Sequence, residues 1–326
     1  MPSVGLATVL CFWVMRSTSY NAIDYNRCVL IVVVVVVHIV NFGRLYPGVQ
    51  QAMAVTVMPA FLVITGYLVN VDKTWRRFLV YLSGIILPYV IMSLGYALLS
   101  LYLPVRDGIA DGRPSTLLHM LLAAPIGPYW YFHTMAVCSV LYYVSFKTVR
   151  RWGDAAVFFV FASLLVLVSK YADVVSFRFA LSFCIGVGAR LFGVGFSKCF
   201  RPSVLAVVPI VLLVVALPSP SLWDDVSVLL IAVCFICFCS WCFEGRTGRI
   251  VDVAGYIGRN TFPIYVFHPI FTMAAKFMLP AFRFDPTGLL HAAFTVVLCV
   301  AGSLALALVM DKTRLSYCFG RKYILR

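Results

Sequence analysis

Charged residues are scarce in this sequence: Asp, Glu, Lys and Arg make up only 12% of its 326 residues, against about 25% in ordinary soluble domains. Hydrophobic residues make up 63% of the chain, and its mean hydropathy is +0.98. A soluble fold of this size cannot hide so much apolar surface from water. The composition therefore excludes a soluble globular domain and predicts an integral membrane protein.

The sequence also lacks the short segments of alternating apolar and polar residues that form a transmembrane β-barrel. Its apolar segments are continuous, and a backbone in lipid must satisfy its own hydrogen bonds, so these segments are predicted to be helices. The fold class is therefore all-α and polytopic, with about ten transmembrane helices. The predicted spans are residues 28–43, 52–70, 78–102, 128–146, 155–170, 177–193, 203–218, 226–243, 261–280 and 288–310.

The distribution of basic residues predicts the orientation of these spans. Lys and Arg are enriched in cytoplasmic loops, and most of the 26 Lys and Arg fall on one side if the N-terminus is cytoplasmic and the spans alternate. We therefore expect both termini to be cytoplasmic. The net charge of +14 is then an asymmetry across the membrane, and it gives no argument for a nucleic-acid partner. Membrane lipid is the expected surrounding.

Three regions follow from this organisation. Residues 1–22 contain an apolar run that is too short to span the bilayer and lacks the basic start of a signal peptide, so we expect an interfacial N-terminal segment. Residues 23–310 form the membrane domain, and residues 311–326 form a basic cytoplasmic tail.

The cysteine-rich stretch CFICFCSWC, at 234–242, contains two C-x-x-C pairs. Its cysteines scatter around one predicted span, so we expect no metal site.

Two ionisable residues bracket a run of valines in the stretch NRCVLIVVVVVVHIVNFG, residues 26–43. Arg27 and His38 are eleven positions apart, which places them on one face of a helix and about 16 Å apart along its axis. An ionisable side chain at membrane depth is rare and is expected to face the bundle interior, whereas we expect the valines to face lipid. Asp24 lies one turn before Arg27 and could pair with it. Taken alone, His38 could equally be a structural residue that bonds to a neighbouring helix.

The stretch IDYNRCVLIVVVVVVHIV resembles the opening of the acyltransferase-3 family of integral membrane O-acyltransferases, in which Arg or Lys is followed by ten residues and then His. Further blocks follow in the order of that family, from residue 23 to about residue 310: MPAFLVITGYLVN, KTWRRFLVYLSGIILPY, GPYWYFHTM and YIGRNTFPIYVFHPIF. Two departures are visible. Thr65 stands where the family has Ser before Gly, and the basic loop keeps its spacing with Lys73 and Arg76 but adds Arg77.

The resemblance implies transfer of an acyl group, usually acetyl, from cytoplasmic acyl-coenzyme A to a hydroxyl of an extracytoplasmic or lipid-linked glycan. The short chain is similar to stand-alone members that modify exopolysaccharide in a bacterial inner membrane. Acetyl-CoA is then a co-substrate, and no tightly bound cofactor is expected. Lys73, Arg76 and Arg77 are expected to bind the phosphates of coenzyme A. The enrichment of basic residues in cytoplasmic loops would by itself also explain such a cluster.

The same resemblance assigns catalysis to His38 together with Arg27. A neutral imidazole at position 38 could act as general base on the acceptor hydroxyl, or it could carry the acyl group covalently. The direct reaction needs fewer steps and is preferred.

Four residues are candidates for contact with the acceptor substrate. Tyr265 and His268 belong to the late block, between two prolines that free backbone carbonyls inside a span. Trp130 and His133 belong to the fourth predicted helix, at the outer interface. The alternative, purely structural roles are a packing hydrogen bond for His268 and a membrane-interface anchor for the aromatic residues.

Two other functions fit the same sequence. A transporter or flippase for a lipid-linked sugar would also need a polar site near the membrane midplane and broken helices. A non-catalytic member of the family would bind coenzyme A without turnover. Dependence on acyl-CoA distinguishes these possibilities.

Overall fold

The computed structural model describes residues 21–102, 108–109, 111–172, 174–193, 195–216 and 219–326, apart from the side chain of Ser221. Over these residues the chain is helical and contains no β-strand. The prediction of an interfacial segment falls almost entirely on residues 1–20, which lie outside the described residues.

The described α-helices, numbered in chain order, are α1 Ala22–Val37, α2 Val40–Leu45, α3 Pro47–Leu68, α4 Trp75–Ser100, α5 Pro114–Leu122, α6 Trp130–Val149, α7 Asp154–Tyr171, α8 Phe177–Leu191, α9 Phe196–Cys199, α10 Val207–Ala216, α11 Asp225–Phe243, α12 Arg249–Arg259, α13 Thr261–Lys276 and α14 Leu289–Thr313. Short 3₁₀ turns join several of them. Each predicted apolar segment falls on one or two of these helices. Five helices, α3, α4, α7, α11 and α14, are long and apolar enough to cross a membrane. The all-α integral membrane fold is confirmed, while the count of ten spans and the side of the termini stay predictions.

Helix α1 is the central helix of the bundle. It begins at a capping box, in which the Asp24 backbone N–H donates to the Asn21 side chain (3.1 Å) and the Asn21 N–H donates to the Asp24 side chain (3.2 Å). Helices α3, α11, α12, α13 and α14 all pack against it. None of the six valines at 32–37 is exposed, and Val34 and Val35 are fully buried. The expectation that the valines face lipid is therefore wrong for Val34 and Val35, which protein covers, while the other four valines are only partly buried.

The predicted continuous segment 28–43 is broken at its functional residue. Helix α1 ends at Val37, and His38 is its C-cap, with φ −89° and ψ 0°. Ile39 is extended, and α2 restarts the helix at Val40. The histidine therefore lies at a helix end, where the regular ladder of backbone hydrogen bonds is interrupted.

Helices α3 and α8 approach each other through glycine. A Cβ atom added at Gly186 of α8 would lie 2.0 Å from the carbonyl oxygen of Val63 in α3 and 2.7 Å from the Tyr67 nitrogen. Real Cβ atoms do not come this close to another heavy atom, so the contact is possible only between backbones. Small residues at such positions are the usual basis of helix packing in membranes, where the hydrophobic effect does not draw helices together.

The segment predicted as a basic tail folds back onto the bundle. Helix α14 continues to Thr313, and the Asp311 carboxylate accepts hydrogen bonds from the Ser316 hydroxyl and from the backbone N–H groups of Ile324 (2.7 Å) and Leu325 (3.0 Å). Only 2% of the Ile324 surface is exposed. We call residues 314–326 the returning segment, because Ile324 near its end is buried against the helices, whereas Lys322, Tyr323 and Arg326 remain exposed.

Replacement of Gly186 tests the close approach of α3 and α8. We expect Gly186→Ala to force the two backbones apart and to destabilise the protein by about 1–3 kcal/mol or more, as overpacking does. Thermal unfolding of the detergent-solubilised protein, followed by tryptophan fluorescence, measures this as a lower transition midpoint. Gly95→Ala in α4 is the matched control, since a Cβ there meets nothing within 4 Å. Equal midpoints for the two variants would show that the α3–α8 contact is loose.

Candidate active site

Two cavities lie at opposite ends of the central helix α1. The first, of about 510 Å³, is lined by Arg27 and is called the Arg27 cavity. The second, of about 590 Å³, is lined by His38 and is called the His38 cavity. Helices α3, α4 and α13 each line the Arg27 cavity with residues near one end and the His38 cavity with residues nearer the other end. Tyr265 lines both cavities. The sequence predicts Arg27 and His38 at two depths along one helix, and each of them lines one of the two cavities.

Arg27 is bonded to a hydroxyl rather than to a carboxylate. Its Nη2 donates to Thr261 Oγ1 at 2.5 Å, and the carboxylate of Asp24 forms an ion pair with Arg259 instead (Nε to Oδ2, 3.2 Å). Asp24, which the sequence placed one turn before Arg27 as a possible partner, therefore forms its ion pair with Arg259, although its charge still attracts Arg27. The reason is the position of α12: a Cβ added at its Gly258 would lie 1.7 Å from the Asp24 carbonyl oxygen, so Arg259 starts directly beside Asp24.

The imidazole of His38 has a defined tautomer. Its Nδ1 lies 2.7 Å from the carbonyl oxygen of Val34, and a carbonyl oxygen can only accept, so Nδ1 carries the proton in this contact. In the neutral ring the lone pair is then on Nε2. This is the form in which a histidine acts as a base.

A second histidine packs against His38. The ring centroids of His38 and His268 are 4.9 Å apart, with the planes at 65°. His268 is fully buried, and its Nδ1 lies 2.8 Å from the Tyr265 carbonyl oxygen. That carbonyl lacks its usual helical donor, because the residue four positions later is Pro269, which has no N–H. Nδ1 again carries the proton, and His268 Nε2 is a buried acceptor with no hydrogen-bond partner among the described residues.

Two aromatic side chains connect the linings of the cavities: Tyr265 lines both, and Tyr131, which packs on it, lines the Arg27 cavity. The rings of Tyr131 and Tyr265 are 5.2 Å apart. The Tyr265 hydroxyl donates to the carbonyl oxygen of Pro128, and the hydroxyls of Tyr131 and Thr65 share a hydrogen bond of 2.5 Å. We call Tyr131 and Tyr265 the aromatic partition. It is tied to α3 through Thr65 and to the start of α6 through Pro128.

Of the two predicted site residues in α6, one lines a cavity and the other is buried elsewhere. Trp130 lines the His38 cavity and stacks on Phe179, with centroids 4.3 Å apart. His133 is absent from the described lining of both cavities, and its Nε2 lies 3.1 Å from the Leu122 carbonyl oxygen.

The predicted phosphate-binding residues Lys73, Arg76 and Arg77 are not among the described lining residues of the Arg27 cavity, although Tyr81, beside Lys73, is one of them. Lys73 donates to the Asn70 carbonyl and lies over the Tyr81 ring, 5.1 Å from its centroid. Arg76 and Arg77 are exposed at the start of α4. Their role in binding phosphates stays a prediction.

Three further arginines line the Arg27 cavity and were not predicted from the sequence: Arg259, Arg321 and Arg326. Arg259 lies within the block YIGRNTF, two positions before Thr261, and could have been noticed there. Arg321 and Arg326 belong to the returning segment. No spacing in the sequence relates them to Arg27, because the contact depends on how the chain folds back.

Comparison with known proteins gives one match. A family model described as an acyltransferase domain matches residues 20–308. This range contains α1 to α13 and most of α14, and the returning segment lies beyond it. No curated protein and no solved structure matches the chain.

Thr261 provides a test of how Arg27 is held. Thr261→Val keeps the shape of the side chain and removes the acceptor of the Arg27 hydrogen bond. Because hydrogen bonds to charged groups contribute about 1.5–3 kcal/mol, we expect a lower thermal midpoint in detergent, and Thr261→Ser should restore it. Thr148→Val is the control, since that exposed hydroxyl bonds only to the Val144 carbonyl of its own helix. A midpoint unchanged in Thr261→Val would show that the bond does not hold Arg27.

Proposed function

The chain belongs to the acyltransferase-3 family, and from this premise we propose that it transfers an acyl group, acetyl in the simplest case, from acyl-coenzyme A to a sugar hydroxyl. The acceptor in this proposal is an extracytoplasmic or lipid-linked glycan, and the location is a bacterial inner membrane. The family itself establishes a membrane acyltransferase. The donor, the acceptor and the membrane are the proposed part.

One observation carries the proposal: His38 and His268 pack together beside one cavity, while Arg27 lines a second cavity at the other end of the same helix. A transfer between a donor on one side of a membrane and an acceptor on the other needs this arrangement. Guanidinium groups suit the phosphates of coenzyme A, and its long flexible arm could carry the thioester past the aromatic partition toward His38.

The proposed reaction is direct. His38 Nε2 takes the proton from the acceptor hydroxyl as the oxygen attacks the thioester carbonyl carbon. The new C–O bond forms, the C–S bond breaks, and the thiolate of coenzyme A leaves. The proton held by His38 then passes to that thiolate, so the histidine returns to its neutral form.

His268 supports His38 in this scheme. Its Nε2 is a buried acceptor beside the His38 ring, and it can receive a hydrogen bond from the imidazolium of His38 once that ring holds the proton of the acceptor hydroxyl. Such a bond would stabilise the positive charge that forms on His38 during the reaction.

The lining of the His38 cavity suits a sugar. Trp130 offers an aromatic surface for a sugar ring, and Gln50 and Lys276 add polar groups at the same cavity. Two cavities on either side of a partition would also fit a carrier with alternating access, so the experiment has to separate transfer from transport.

Substitution of His38 is the main test of the function. Purified protein in liposomes, supplied with radiolabelled acetyl-CoA and the surface glycan of its source cell, is expected to release free coenzyme A and to label the glycan. We expect His38→Gln to lower the rate about 10²–10⁴-fold, the usual contribution of a general base. His119→Ala is the control, because this histidine is exposed on α5.

The result of this assay also decides between transfer and transport. If the wild-type protein releases no coenzyme A but moves a lipid-linked sugar across the liposome membrane, the acyltransferase proposal is wrong. If coenzyme A binds without turnover, the chain is a non-catalytic family member.

His268 is expected to affect catalysis more than donor binding. His268→Phe keeps a buried ring and removes Nε2, and we expect kcat to fall about 10–100-fold, the effect of losing one hydrogen bond to a charged group. The KM for acetyl-CoA should stay close to that of the wild type, because His268 is not among the described residues that line the Arg27 cavity. A proportional change in KM with constant kcat would show that His268 has only a structural or donor-binding role.

A further inference from the structure

The side chains that line the Arg27 cavity carry an excess of positive charge. Four arginines, Arg27, Arg259, Arg321 and Arg326, face one carboxylate, Asp24. No other Asp, Glu or Lys belongs to the lining in the part of the chain that the structure describes. A cavity with this imbalance, in a molecule with so few charges, favours an anionic ligand.

The protein's own hydrogen bonds do not neutralise this charge. Asp24 is engaged with Arg259. Arg27 bonds to the Thr261 hydroxyl, and Arg321 Nη2 donates to the carbonyl oxygen of Gly84 at 3.0 Å. Both of these acceptors are neutral, so the guanidinium charges of Arg27 and Arg321 have no carboxylate partner in these bonds.

Arg321 is the most constrained of the four. Its guanidinium lies 3.8 Å from the centroid of the Phe262 ring, and its Nε is buried without a hydrogen-bond partner among the described residues. Burial, and then repulsion from Arg326, lower the pKa of Arg321 to about 10. Arg321 is therefore still charged at neutral pH. Arg326 also repels Arg27, and Asp24 is the one carboxylate side chain of the lining that attracts it. An anion between these groups would replace repulsion with attraction.

The returning segment is fixed at the cavity by specific contacts. The fully buried Asn260 donates from Nδ2 to the backbone oxygen of Arg326 (3.2 Å) and accepts from the Arg326 N–H at Oδ1 (2.8 Å). Asn260 stands between Arg259, which pairs with Asp24, and Thr261, which accepts the hydrogen bond of Arg27. Asp311 holds the preceding residues. The backbone that carries Arg321 and Arg326 is therefore held at the cavity by hydrogen bonds to Asp311 and Asn260.

We propose that the returning segment completes a polyphosphate-binding site, in which Arg321 and Arg326 join Arg27 and Arg259 to bind the phosphates of acyl-coenzyme A. This inference rests on the proposed function and adds residues that lie beyond the matched acyltransferase domain. Planar guanidinium groups bind phosphate through two parallel hydrogen bonds, and a cavity of about 510 Å³ has the size of an ordinary small-molecule site. The phosphate of an anionic lipid is the other source of the same chemistry.

The test measures binding of coenzyme A to the full-length protein in detergent by isothermal titration calorimetry. We expect Arg321→Gln and Arg326→Gln each to raise the Kd about 10–100-fold, as the loss of a charged hydrogen bond would. Lys322→Gln, in the same segment but outside the described lining of the cavity, should leave the Kd unchanged. Arg321→Lys keeps the charge but not the planar fork, and an intermediate Kd is expected. Size-exclusion chromatography and the thermal midpoint establish that each variant is folded.

A second arm identifies the source of the phosphate. The same variants are placed in nanodiscs with increasing phosphatidylglycerol, and the lipid retained by the protein is measured by mass spectrometry. If the Gln variants lose phosphatidylglycerol while their Kd for coenzyme A is unchanged, the site binds phosphate from lipid, which overturns its assignment to coenzyme A. If neither ligand is affected, the proposed site is wrong.

The outcome is separable from that of the proposed function. Wild-type protein that transfers acetyl groups, together with Gln variants that bind coenzyme A normally, would contradict only the role of the returning segment. Wild-type protein that binds no coenzyme A would contradict both the proposed donor and the assignment of this site to it.

Discussion

The close backbone contact between α1 and α12 determines the shape of the Arg27 cavity. A Cβ at Gly258 would lie 1.7 Å from the Asp24 carbonyl oxygen, so only glycine allows the two helices to meet at this point. The three residues that follow Gly258 are placed around the start of α1 by this contact. Arg259 pairs with Asp24, Asn260 holds the returning segment, and Thr261 accepts the hydrogen bond of Arg27. A cavity with four arginines is thus assembled from one point of contact.

The spacing of Arg27 and His38 could be predicted from the sequence, because the period of a helix is a local property. What surrounds that helix could not be predicted. Lipid and protein interior are both apolar, and a run of valines is compatible with either. Val34 and Val35, at the middle of the run, are fully buried against protein, since five other helices pack against α1. The break at His38 was also missed, as no glycine or proline marks it in the sequence.

The acyltransferase family and its two histidines could be recognised from short motifs, but the arginine cluster could not. Pro269 is visible in the sequence, and its lack of an N–H explains locally why the carbonyl of Tyr265 is available to His268. Arg321 and Arg326 reach Arg27 only because Asp311 and Asn260 fold the chain back. Contacts of this kind depend on the whole bundle, whereas motifs report residues that are near each other along the chain.

The aromatic partition connects the chemistry of the two cavities. Under the proposed function, a thioester has to reach His38 from the Arg27 cavity while water and ions remain separated across the membrane. Tyr265 contributes to both cavities, and its hydroxyl is bonded to the Pro128 carbonyl beside Trp130. The His268 ring lies beside this tyrosine, with the two centroids 5.9 Å apart. Under the same proposal, the acyl arm would pass at Tyr265, and a closed aromatic contact there would keep bulk water from the thioester. The proposed donor and acceptor would then bind at opposite ends of one helix, with this tyrosine between them.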